Sequence, residues 1–300
     1  MSTPSGRPDV SVVICTYNRK ARLRECLTSI LAVDCPQESY EVIVVDGGSD
    51  DGTIDLREEF TGILFVEENG MGLASARNQG AQLARGRIIA YTDDDCVVDK
   101  EWLRKLLEAF AISDSIVGVG GPVFPLHGEL IPRQLMVKAA LGLYDEGDEI
   151  KSVGILIGSN SAFKREIFEK FKFDENLRVT RKGNSLLCGE DTDFCRTITS
   201  SDCKLLYTPF AKVYHQVKSE RIRVLYIMKH AANYGLFVTR SYLKKKKSRV
   251  WLVRFALGRF IQNLASAILN RSFDSCYNLI YSISTLTICI TGMDLVLLKN

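Results

Sequence analysis

The chain reads as an α/β protein: a mostly parallel sheet flanked by helices, with a helical C-terminal extension. Two observations predict this. Over the first 110 residues, apolar runs of strand length alternate with segments of helical period, the pattern of strand–helix–strand units that build a parallel sheet. Three of those runs end in polar or acidic turns: Thr16-Tyr17-Asn18-Arg19, Asp46 to Asp51, and Asp93-Asp94-Asp95. Right-handed crossovers bring such ends to one sheet edge, where open α/β sheets bind their ligands.

The β-rich run 10–15 predicts the first strand, and Leu23, Leu27, Ile30 and Leu31 give 21–33 a helical period. Residues 40–45 form a second strand, closed by the turn-rich Asp46-Gly47-Gly48-Ser49-Asp50-Asp51-Gly52. A third strand is expected at 63–66, a loop and helix over 70–83, a fourth strand at 88–91 and a helix at 100–110. After residue 113 the alternation loosens. Strands are expected at 116–121 and 153–157, with a helical stretch near 135–143 between them. A strand and turn at 158–163 and a short helix at 165–170 follow. The polar segment 178–187 reads as a mobile loop. Gly189-Glu190-Asp191-Thr192-Asp193 opens a helix, with acids in the first turn where the helix dipole favours them. Residues 204–207 and 212–214 are the last strand-like pieces, and from about 221 the chain reads as helices.

Basic and acidic residues nearly balance, 39 against 36, so nothing points to nucleic acid as a partner. Nine cysteines without a CxxC pair, several in apolar runs, fit buried thiols in a reducing compartment. The polar first nine residues hold no apolar signal segment, and the expected location is cytoplasmic. The three histidines, His127, His215 and His230, show no zinc spacing.

The tract Ile88 to Asp95 carries the first chemical reading. Unpaired carboxylates are costly to bury, so the three acids are expected at the strand's end, facing solvent or a cation. Oxygen ligands suit Mg²⁺ or Mn²⁺, which share themselves with phosphates. A metal–diphosphate site is one reading; an acidic turn before a helix is the other.

Five motifs in order then resemble family 2 glycosyltransferases. They are Val10 to Arg19, Glu41 to Ser49, Gly72-Leu73-Ala74-Ser75-Ala76-Arg77-Asn78, Asp93-Asp94-Asp95 and Gly189-Glu190-Asp191. The resemblance spans roughly residues 10 to 215 and implies the GT-A (Rossmann-like) fold. It implies a catalytic domain at 8–220, with a nucleotide-binding half (8–112) and an acceptor half (113–220), ahead of a helical region at 221–300. The implied activity is inverting transfer of a sugar from a nucleotide-sugar donor, UDP being the commoner nucleotide, to an acceptor hydroxyl on a glycan or lipid-linked molecule. Tyr17, Asp46, Arg77, Asp93 and Asp94 would bind the donor. Asp95, Asp93 and His215 would hold a divalent metal, Mn²⁺ or Mg²⁺. Asp191 would be the general base, with Glu190 supporting it. One departure is Gly47, where the family often has a second acid; Asp46 is retained.

Each role has a plain structural counterpart. Asp46 and Ser49 suit a capped turn, Tyr17 the edge of a core, and Arg77 a surface ion pair. Glu190 and Asp191 suit a helix start, and His215 a structural position. Two other functions compete. A degenerate scaffold would have no need of Asp93, Asp95 and Asp191 together. A nicotinamide dehydrogenase would use Gly70-Met71-Gly72-Leu73-Ala74-Ser75, but this sequence follows the third strand and lacks the last glycine.

The C-terminal region suggests a location. Lys244 to Lys247 and Arg249 precede a segment with Trp251 and Phe255, which reads as contact with an anionic membrane surface through 244–300. Residues 273–298 are long enough to span, but Asn278, Asp294 and many hydroxyls make a poor span. A helical cap on the catalytic domain is the competing reading.

Overall fold

The computed structural model describes residues 6–68, 72–126, 135–176, 189–244, 249–270 and 273–291. The features expected at 70–71, 127, 178–187, 245–248 and 292–298 lie outside them. In chain order the elements begin with β1 (Val10–Thr16), α1 (Lys20–Leu31), β2 (Tyr40–Asp46), α2 (Leu56–Glu59), β3 (Leu64–Glu67), α3 (Leu73–Leu83) and β4 (Ile88–Asp93). Next come β5 (Cys96–Val98), α4 (Trp102–Phe110), β6 (Ile116–Gly120), β7 (Val123–Pro125), α5 (Leu135–Ala140), β8 (Lys151–Val153), β9 (Ser161–Lys164) and α6 (Ile167–Lys170). The chain continues with α7 (Glu190–Thr199), β10 (Lys204–Tyr207), β11 (Val213–His215), α8 (Val224–Lys244), α9 (Arg249–Asn270) and α10 (Phe273–Thr291).

Two compact units result. The first comprises Met1–Gly128, Leu143–Arg178 and Glu190–Gln216; the second comprises Glu129–Gly142, Val179–Gly189 and Val217–Asn300. In the first, an eight-stranded sheet runs β3-β2-β1-β4-β9-β6-β10-β8, and β5-β11-β7 form a small second sheet. Strands β1 to β4 are mutually parallel, and β9 runs antiparallel between β4 and β6.

The period of two sorts side chains to opposite faces. Val12, Ile14, Val42, Val44 and Ala90 pack with Leu23 and Leu27 of α1 and Trp102 and Leu106 of α4. Their neighbours Val13, Ile43, Val45, Ile89 and Tyr91 pack on the other face with Ala76 of α3 and Phe194 of α7. Helices therefore cover both faces, as a parallel sheet requires. Gly80 lets α3 lie close on β1, since a Cβ there would overlap Val13.

Three expectations change. β4 continues two residues past Tyr91, because Ile14 and Cys15 pair with Thr92 and Asp93. The strand expected at 153–157 is instead Lys151–Val153, paired antiparallel with β10; the chain leaves that ladder at Gly154. β5 and β7 were not expected.

The second unit holds α5 and the helices α8, α9 and α10. α10 packs against both α8 and α9. Among the described residues one helix, Val250–Leu269, is long and apolar enough to cross a membrane by length and composition.

Candidate active site

The site lies along the C-terminal ends of β1, β2 and β4, which finish nearly flush: Thr16 pairs with Asp46 and Cys15 with Asp93. The loops after β1 and β2 are tied together. Asn18 adopts a left-handed backbone with φ of 53°, which asparagine tolerates better than most residues. Its N–H donates to Ser49 Oγ at 2.8 Å, and its Oδ1 accepts from Asp50 N–H at 2.8 Å. Asp46 is buried, and its carboxylate accepts from the backbone N–H and the hydroxyl of Ser49. Tyr17 beside this loop is exposed.

Asp94 and Asp95 take the second of the two expected settings. Both are buried rather than facing solvent, and the cation they meet is Arg19. Arg19 Nη1 lies 2.6 Å from Asp94 Oδ1 and 2.9 Å from Asp95 Oδ2. Thr16 Oγ1 donates to Asp94 Oδ2 at 2.8 Å, and Arg22 Nη1 is 3.4 Å from Asp95 Oδ2. Burying two adjacent carboxylates demands such compensation. Burial, aided by the charge of Asp95, outweighs Arg19 and pushes the Asp94 carboxyl up to about 6. Burial alone would lower Arg19, but Asp94 and Asp95 outweigh it and hold the guanidinium charged.

His215 reaches this cluster through the small sheet. Cys96 pairs antiparallel with His215, and Gln216 N–H donates to Asp95 C=O at 2.8 Å. His215 Nε2 thereby lies 3.3 Å from Asp95 Oδ1. Asp93 stands apart, its side chain 36% exposed. Among the described residues no three His, Cys, Asp or Glu side chains converge as a metal site. Asp95 and His215 come together, while Asp93 turns toward Arg77.

Arg77, from α3, is buried rather than on the surface. Its Nη1 donates to Glu190 Oε1 at 2.7 Å, and its Nη2 lies 3.3 Å from Asp93 Oδ1. The guanidinium also stacks over Phe173, 5.6 Å from the ring centroid. Glu190, in the first turn of α7, is buried, and that burial, with Asp191 alongside, raises its pKa against the pull of Arg77. Asp191, half-buried, accepts from Gly158 N–H at 2.9 Å and from Thr192 N–H at 2.6 Å. Gly158 touches both partners, since a Cβ there would overlap the Arg77 guanidinium.

Sequence reasoning assigned no individual role to Arg19, Arg22 or Gly158. The available signal for the arginines was their place just past β1, on the edge that also carries three acids. For Gly158 there was none, because its importance comes from a contact with α3, distant in sequence.

The sequence matches the family model described as glycosyl transferase family 2 over residues 11–172. It is 27% identical over 220 residues to the glucosyl-dolichyl phosphate glucuronosyltransferase of Haloferax volcanii, covering 69% of each chain. A mannosyltransferase from Pyrobaculum calidifontis, solved with GDP-Man and Mn²⁺, superposes with a TM-score of 0.65 at 18% identity, covering 97% of this chain and 89% of that one. TarS 1–349 from S. aureus, solved with UDP, gives 0.57 at 16% identity, covering 95% and 92%. The two structures show that the fold is shared.

Proposed function

The chain belongs to glycosyl transferase family 2 and has the GT-A fold, and we propose that it transfers a sugar from a nucleoside-diphosphate donor to an acceptor hydroxyl with inversion. One observation carries this reading. Arg77 joins Asp93, at the end of β4, to Glu190 beside Asp191. A donor-side acid and a candidate base thus share one frame, which is what positioning two reactants requires.

In this mechanism Tyr17 stacks on the base and Asp46, held by Ser49, accepts a hydrogen bond from it. Asp93 lines the donor side, and Asp94, buried against Thr16 and Arg19, supports that edge. Arg77 acts by holding Asp93 and Glu190 in place. The acceptor hydroxyl gives its proton to Asp191 while its oxygen bonds to the anomeric carbon. The bond from that carbon to the diphosphate oxygen breaks, its electrons leave with the diphosphate, and the configuration inverts. The two backbone N–H groups on Asp191 orient it and leave lone pairs for that proton.

A divalent ion is part of this reading. Asp95 Oδ1 and His215 Nε2 are 3.3 Å apart, the spacing of adjacent ligands on a small ion with bonds of about 2.1 Å. Asp95 and His215 would hold Mn²⁺ or Mg²⁺, and the ion would neutralise charge developing on the leaving diphosphate.

UDP is the first nucleotide to test, with GDP beside it because the mannosyltransferase neighbour was solved with GDP-Man. The acceptor reading is a hydroxyl on a glycan or lipid-linked molecule, met at an anionic membrane surface on the cytoplasmic side. The dolichyl phosphate in the name of the Haloferax volcanii relative supports a lipid-linked acceptor. Thermal stabilisation by UDP, GDP, dTDP and NAD, each with and without Mn²⁺, tests the donor class. Metal-dependent stabilisation by one nucleoside diphosphate is the expected result; a response to NAD alone overturns the reading.

A further inference from the structure

The C-terminal helices bury polar side chains beside an apolar cluster of Leu252, Ala256 and Cys289, and leave many apolar side chains exposed. Ser282 and Thr285 of α10 are 0% and 2% exposed. Asn263 Nδ2 donates to Asn278 C=O at 3.0 Å and Ser282 Oγ at 2.9 Å, and Ser284 Oγ donates to Ala232 C=O at 2.8 Å. At Gly235 the backbones of α8 and α10 come so close that a Cβ would lie 2.7 Å from Tyr281 C=O. Small residues at close approach and hydroxyl cross-links are how helices associate in lipid. The hydroxyls of Ser282, Ser284 and Thr285 are thus engaged within the bundle.

The outer face of α9 is the counterpart. Val250, Leu257, Ile261, Leu264 and Ile268 follow the helical repeat along one stripe and are exposed, Ile261 at 58% and Ile268 at 65%. Such an exposed apolar stripe, interrupted by Arg254, marks an interaction surface. Trp251 stands at its N-terminal end, 38% exposed, a residue favoured at the membrane–water boundary. Arg249, Arg254 and Arg259 are the only charged residues of α9, and Arg254 and Arg259 are exposed.

We propose that the outer stripe of α9 is seated in the interfacial layer of an anionic lipid bilayer, with α9 lying in the membrane plane. Arg254 and Arg259 supply charge complementarity to anionic headgroups, reaching them by extending their aliphatic stems. Arg259, at the midpoint of the helix, opposes a transmembrane placement. An exposed apolar face on a helix whose charged residues are all cationic is the composition of an in-plane membrane helix.

The test uses the full chain and vesicles of phosphatidylcholine alone or with phosphatidylglycerol. The chain is expected to sediment with the anionic vesicles at least about tenfold more strongly than with neutral ones. Trp251 fluorescence should shift to the blue and be quenched by brominated lipid; Trp102, fully buried, should not respond. Ile261→Glu with Ile268→Glu, both at exposed positions, should weaken binding by about tenfold or more and abolish the Trp251 response. Binding unaffected by the glutamates overturns the proposal. So does an absence of quenching in the unmodified chain, or a face that instead makes a dimer which the glutamates dissociate. Nucleotide-dependent stabilisation, measured on the same preparations, reports on the donor reading separately.

Discussion

Arg77 and Glu190 stand 113 residues apart in the chain, yet their buried side chains meet at 2.7 Å, with Asp93 on the other fork of the same guanidinium. The pair links α3 to the start of α7. Removing only the arginine strands a buried carboxylate, so Arg77→Ala should lower stability by about 3–5 kcal/mol. Arg77→Met combined with Glu190→Met should cost less than the two single changes added together. Denaturant unfolding of the double-mutant cycle measures the coupling.

Gly158 should be a positioning residue. Its N–H holds Asp191 and its Cα lies against Arg77, so Gly158→Ala must displace one of them. The expected result is a fall in kcat of about ten- to a hundredfold, with the donor KM little changed. A loss confined to KM contradicts this assignment.

The Asp94 carboxyl, pushed up to about 6 by burial, gives a signed pH dependence. In the unfolded chain it titrates near about 3.9. Between these values the folded state binds more protons than the unfolded one, so this contribution to stability falls as pH rises. It is fully present below the unfolded value and lost above about 6. Relative to Asp94→Asn, the unmodified chain should lose on the order of 2 kcal/mol between pH 4 and pH 6.5. Paired unfolding curves across that window check it.

Asp95 and His215 are the candidate metal pair, and Arg19 holds the other oxygen of Asp95. If a nucleoside diphosphate with Mn²⁺ reaches about a hundred times its Kd, stabilisation should approach ~2.7 kcal/mol. Chelation with EDTA should remove the metal-dependent part, and Asp95→Asn should blunt it with metal present. Thermal unfolding with nucleotide alone, metal alone and both separates the contributions.

The first four strands were legible because each is an unbroken β-rich run between turn residues, and a parallel sheet leaves few places for their polar ends. The acids of β4 were legible for the same reason; those of α7 were legible as first-turn acids of a helix and as part of a family motif. β5 and β7 were not, because three residues carry no period. Their absence from the sequence reading hid the route by which His215 reaches Asp95. The 153–157 run misled because apolar composition does not say which residues find a ladder partner; only Val153 of that run pairs, with Leu205. The burial of Asp94 and Asp95 was also out of reach, since it depends on which cation lies opposite, and Arg19 is 75 residues from Asp94.

The most direct test of the proposed chemistry compares Asp191→Asn with the unmodified chain in two assays, sugar transfer and metal-dependent thermal stabilisation by the nucleotide. Loss of the general base should lower transfer by about 10²- to 10⁴-fold while leaving nucleotide stabilisation intact. Transfer that survives within about fivefold, or nucleotide binding that disappears together with activity, contradicts the role given to Asp191.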